Sequence, residues 1–143
     1  MTRVRKGLLA LTAAGALAVV AVPASQAAKL LKGAAGKSAV KLAIKSCGLN
    51  VARPNEAPVT DGYPDVSTKD PKFAVVYVPY HGNWCTKVVT RKTTAATTWT
   101  VKTGVGGLSS DPTKACPSWL PKDLRGVRTY PATGPIVFCG APK

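Results

Sequence analysis

At 143 residues and a formal net charge of +14, with twenty basic and six acidic side chains, the chain is too short for two domains of ordinary size and suits anionic partners better than cationic ones. One histidine and four cysteines leave little material for acid–base or metal chemistry, and the serines stand in no nucleophile-elbow context.

The first residues read as an export signal. Arg3, Arg5 and Lys6 precede the uncharged stretch Gly7–Val22, and Pro23–Ala28 supplies small residues at the spacing a signal peptidase reads, so residues 1–27 are expected to be removed. The stretch falls short of the roughly 20 apolar residues of a membrane span, and no transmembrane span is expected after cleavage. No cysteine follows it and Arg3 and Arg5 are not adjacent, which leaves ordinary secretion to the extracellular side rather than lipid anchoring or twin-arginine export. The short cationic start with an Ala/Val/Leu stretch has a bacterial character.

Residues 28–143 are then a single small secreted domain holding all four cysteines. An even count in an oxidising compartment predicts two disulfides, and the pairs Cys47–Cys85 and Cys116–Cys139 close the shorter loops. No C-x-x-C pair is present, so zinc is not expected. With three basic residues lost in the leader, the exported part keeps about +11, spread along the chain rather than packed into one run.

Ala28–Cys47 is rich in helix formers and ends at Gly48. On a helical wheel Leu31, Ala35, Ala39, Leu42 and Ala43 share a stripe opposite Lys29, Lys37, Lys41 and Lys45, with Leu30, Val40 and Ile44 intruding on the lysine side. A packed core helix with its lysines in water and a cationic helix lying on a membrane or wall both fit; the first is the expectation. Asn50–Lys72, with four prolines and four of the six acidic residues, reads as a long Pro/Asp-rich loop (50–72) whose aspartates form turns rather than a calcium site.

Phe73–Arg91 is the densest β-branched and aromatic run and reads as a β-hairpin turning at Tyr80–Trp84. Its first strand is expected to end at Pro79, and Thr97–Thr103 should follow as a third strand with Trp99 and Val101 inward. Gly104–Ser110 lacks the Lys-Ser/Thr of a phosphate loop. Asp111-Pro112 can start a short helical turn, Ser118–Gly126 reads as irregular, and a last strand is expected at Ile136–Cys139. The fold class is therefore α+β: an N-terminal helix on a small antiparallel sheet of about four strands, with two disulfides.

The functional expectation is a non-enzymatic, cationic, disulfide-stabilised binding protein whose partner is an anionic polymer, the cell envelope or an acidic protein, with no cofactor and no metal. The candidate binding residues are Tyr80, His81, Trp84, Lys87 and Arg91, where aromatics alternate with cations. Trp119 and Tyr130 form a second aromatic cluster. An alternative is a secreted protease inhibitor presenting the loop Thr113–Lys122. A third is a small ribonuclease using His81, with Glu56 and either Lys87 or Arg91, although nothing in the sequence brings Glu56 to His81.

Overall fold

The computed structural model describes residues 28–102, 116–130, 134–137 and 139. Within them β1 (Lys29–Leu30), β2 (Tyr63–Val66), β3 (Phe73–Tyr80), β4 (Asn83–Thr90) and β5 (Thr100–Val101) lie in that order in one antiparallel sheet. Helix α1 (Gly33–Ser46) packs on one face, and β6 (Val127–Tyr130) and β7 (Gly134–Val137) form a separate ribbon. The α+β reading holds, with five strands in the main sheet where about four were expected.

The expected hairpin is the middle of that sheet. His81 and Gly82 both take positive φ, 41° and 77°, which is the backbone of a two-residue type I′ turn. Such a turn closes on a hydrogen-bonded pair, here Tyr80 and Asn83, so Pro79 falls in a non-hydrogen-bonded pair with Trp84 and its missing N–H faces the other edge. There β2 has already ended, at Tyr63 opposite Tyr77. Pro79 therefore leaves no partner wanting, and β3 runs on to Tyr80 instead of stopping before it.

Alternation along β3 and β4 divides the core into layers. Ala74, Val76, Val78 and Val89 meet Ala39, Ala43 and Ile44 of α1, with Trp99 closing the cluster. Trp99 is buried as expected and donates its indole N–H to Ala35 O at 2.9 Å, so its one polar atom is satisfied. On the other face Val75 and Val88 pack against Leu120, Leu124 and Cys139. Because β3 is covered on both faces it reads as a continuous apolar run.

Several segments differ from expectation. Lys29 and Leu30 pair with Val66 and Asp65 and Leu31 N–H donates to Pro64 O at 2.7 Å, so the chain enters α1 from a strand and the helix starts at Gly33. In turn Tyr63–Val66 is a strand inside the stretch expected to be loop; Pro64 gives it the look of a breaker, although its carbonyl still serves the sheet by accepting from Leu31. At Ser118–Gly126 a 3-10 turn spans Lys122–Leu124 before β6, and the last strand, expected at Ile136–Cys139, begins two residues earlier as β7 and pairs with β6 outside the main sheet. The leader, Gly104–Ser110 and the turn at Asp111-Pro112 lie outside the described residues.

Both expected disulfides are present, Cys47–Cys85 and Cys116–Cys139. The first ties the end of α1 to β4. The second links residues at Cys116 and Cys139 that pack on the far side of the sheet.

Candidate functional site

The five candidate binding residues of the hairpin do not converge. Tyr80 and His81 sit at the turn, their rings 6.5 Å apart edge to face. Trp84 is half-buried against Tyr77, whereas Lys87, three residues on and opposite Val76, points to the other face. Arg91 follows the end of β4, and the eight residues of that strand put it roughly 27 Å from the turn. Its guanidinium is already engaged, donating to Pro71 O and Ala96 O at 3.0 Å each and lying 4.6 Å over Trp99, and burial lowers its pKa from the usual guanidinium value. Period-two alternation separates in space what the sequence sets side by side.

One pairing that the sequence could not supply is present. Arg53-Pro54-Asn55-Glu56 makes a turn with Glu56 N–H donating to Arg53 O at 3.2 Å and Asn55 at φ 66°, the pattern of proline then asparagine in a type II turn. It carries the Glu56 carboxylate to 3.5 Å from His81 Nε2, with Arg53 Nε 3.9 Å from the same oxygen. All three side chains are exposed. An acid and a base that cleave a phosphodiester must flank the phosphorus, and a separation of 3.5 Å leaves no room for a phosphate between them.

A larger feature lies along α1. A groove of about 860 Å³ runs between the helix and the segments on either side of the Arg53 turn. Its shape follows from how the helix ends. Gly48, at φ 71°, lets Leu49 N–H reach Ile44 O and Gly48 N–H reach Lys45 O, both at 3.0 Å, the two bonds of a Schellman cap. The cap turns the chain back beside the helix, and Leu49, Val51, Pro58 and Val59 form the facing wall.

The helix gives the groove two parallel rows. Gly36, Val40 and Ile44, four residues apart, form an apolar strip, and Lys37, Lys41 and Lys45 run beside it along the rim with Lys32 before the first turn. Residues at i and i+4 stand about one turn apart on one face. The lysines are exposed and Ile44 is buried, so cations edge an apolar floor. Asp61 is the carboxylate among the lining residues. Gly36 has a specific reason to be glycine: a Cβ there would collide with the Leu31 carbonyl oxygen, where β1 hands the chain to the helix. The sign of this groove in the sequence was the intrusion of Leu30, Val40 and Ile44 on the lysine side of the wheel.

Of the remaining candidates, Trp119 stacks on Phe73 at 6.1 Å with Lys102 Nζ 5.2 Å from its ring, a partial cover for the sheet. Tyr130 lies in β6. The inhibitor loop Thr113–Lys122 is described from Cys116 onward, and there Arg125 gathers its carbonyls, donating to Leu120 O at 2.8 Å and Ser118 O at 2.9 Å. Leu120 is buried, whereas Ser118, Trp119 and Lys122 beside it are exposed. Among the described residues no cluster of His, Cys, Asp and Glu could hold a metal, and no helix is long and apolar enough to cross a membrane. Comparison of the chain with protein-family models, curated proteins and solved structures returns no match.

Proposed function

We propose that the protein is exported and works outside the cell as a non-enzymatic, cationic binding protein for anionic envelope or extracellular material, held along the lysine side of α1. The observation that supports this most is the row Lys37, Lys41 and Lys45 beside an apolar groove. A solvated charge face needs no groove next to it. Two disulfides suit a chain that folds in an oxidising compartment.

The reading is tested by retention of the oxidised chain on anionic wall polymer over a salt series. A Lys37→Gln/Lys41→Gln/Lys45→Gln variant should elute at clearly lower salt than the wild type. A control of equal charge, Lys69→Gln/Lys72→Gln/Lys92→Gln, changes exposed lysines that do not line the groove and should elute close to the wild type. Equal loss in both variants would reduce the attraction to diffuse net charge and remove the site from the reading.

A second reading uses the Glu56–His81 pair at a wider separation than the 3.5 Å of the contact, which admits no phosphate. If the turn opens, one group can take the proton of a ribose 2′-hydroxyl while the other protonates the departing 5′-oxygen, with Arg53 near the phosphate. RNA incubated with the wild type and recovered intact would dispose of this reading; cleavage lost in both His81→Ala and Glu56→Gln would establish it.

A further inference from the structure

We infer that the groove along α1 takes one lipid molecule at a time, a single acyl chain carrying a phosphate headgroup, with the chain on the apolar strip and the phosphate among Lys37, Lys41 and Lys45. The inference rests on the binding reading above and narrows its partner from anionic material in general to a monomeric lipid.

Size and length fit a chain. The volume of about 860 Å³ lies within the range of roughly 300–1,000 Å³ typical of small-ligand sites. Along the helix the lining runs from Gly33 to Lys45, about 18 Å at the α-helical rise, on the order of an extended myristoyl or palmitoyl chain. Exposure points the same way. Among the described residues three large hydrophobic side chains are conspicuously exposed, and two of them, Leu30 at 49% and Val51 at 67%, stand at the border of this groove. Single exposed apolar residues need no explanation, but two lining one groove together with the half-buried Val40 give apolar surface that an alkyl chain would take out of water.

The lining favours an alkyl chain over a peptide. Past its first turn the N–H groups of α1, and all but its last carbonyls, are spent within the helix, and Pro58 and Pro64 bring no N–H to the groove. A peptide backbone lying there would leave its own polar groups without partners on those sides, whereas an acyl chain brings none. The head is placed by charge. Lys37, Lys41 and Lys45 stand one turn apart on the helix rim, and Asp61 lies among the residues lining the same groove, so an anionic head is drawn to the lysine row and repelled from the carboxylate. Flexible ammonium groups in a row suit a phosphate, which can accept from more than one at once.

The test is calorimetric titration of the full exported, oxidised chain with palmitoyl lysophosphatidate below its micelle-forming concentration. Saturable binding of one lipid per chain is expected. It should weaken by about tenfold or more in Lys37→Gln/Lys41→Gln/Lys45→Gln, and likewise in Val51→Asp, a change at an exposed position that spares the core. Inorganic phosphate, which is the head alone, and palmitoyl lysophosphatidylcholine, whose head carries no net charge, should each bind more weakly. Several outcomes would overturn the inference: phosphate binding as well as the lipid, indifference of lipid binding to Val51→Asp, an acidic amphipathic peptide binding where the lipid does not, or binding to intact anionic vesicles with none to monomeric lipid. Failure here with salt-sensitive, Lys37-row-dependent retention on wall polymer intact would sink the lipid inference and leave the binding reading standing. Failure of both would remove both.

Discussion

Asp123 organises the loop between β2 and β3 from fifty-odd residues away in sequence. Its carboxylate accepts from the Ser67 hydroxyl at 2.8 Å, the Thr68 N–H at 2.7 Å and the Thr68 hydroxyl at 3.1 Å, while Ser67 Oγ in turn accepts from the N–H groups of Lys69 and Asp70. Burial, the largest single influence, pushes the carboxyl pKa up, but the hydrogen bonds from Ser67 and Thr68 together outweigh it and hold the group below its ordinary 3.8. A carboxylate whose folded pKa is depressed adds stability that is in full force above the unfolded value and is lost as pH falls through the folded one. In Asp123→Asn the neutral amide replaces the anion, and urea unfolding at about pH 6 should show a loss on the order of 1–3 kcal/mol. The gap between wild type and variant should narrow when the same measurement is carried to acid pH, as the wild-type carboxyl takes up its proton on passing through its folded-state pKa. A gap that stays constant between the two conditions would mean that the loop is held by its backbone turns and not by the charge.

At the scale of elements, how much could be read in advance depended on whether the pattern was local. The hairpin was legible because β-branched residues and the His81-Gly82 turn are adjacent in the chain, and the end of α1 was legible because Gly48 is a local stop. Trp99 and Val101 were placed inward by alternation alone, and both pack on the helix side of the sheet. The strand Tyr63–Val66 was hidden because Pro64 and Asp65 have low strand propensity, and its existence depends on β3 on one side and Lys29–Leu30 on the other, neither visible from within it. The same long-range pairing moved the helix start from Ala28 to Gly33. The groove was half legible. Val40 and Ile44 looked like flaws in an amphipathic pattern, and became one wall of a groove only once the Schellman cap had laid Leu49–Val51 opposite them. The candidate residues of the hairpin are spread apart for a related reason: residues near in sequence on a strand are divided between two faces, and residues ten apart are divided between two ends of the sheet.

At the scale of the whole molecule, α1 is held to the sheet in two independent ways. Ala39, Ala43 and Ile44 pack on Ala74, Val76, Val78 and Val89, and the Cys47–Cys85 bridge fastens the helix end across a sequence separation of 38 residues. In the chain-entropy account a loop of that size is worth about 4 kcal/mol, against about 3.4 for the 23-residue separation of Cys116–Cys139. Since a domain of this kind has a total stability of roughly 5–15 kcal/mol, neither bridge is dispensable by default, yet the apolar contact of α1 should keep the helix docked when the first is removed. The groove has a stricter requirement. Its helical wall and its facing wall Leu49–Val51 diverge at Gly48, one residue from Cys47, so fraying at this end would change the groove before it unfolded the sheet. In Cys47→Ala/Cys85→Ala, urea unfolding should therefore show a stability loss near 4 kcal/mol with the transition still cooperative, and native-state hydrogen exchange should show the largest loss of protection over Lys45–Leu49. Retention on anionic polymer, which needs the lysine row held in place, should fall in the same variant at a temperature where its sheet is still fully folded. An unchanged exchange pattern at Lys45–Leu49 would mean that the apolar packing and the Schellman cap alone hold the helix end, and that the bridge acts on the unfolded chain and not on the groove.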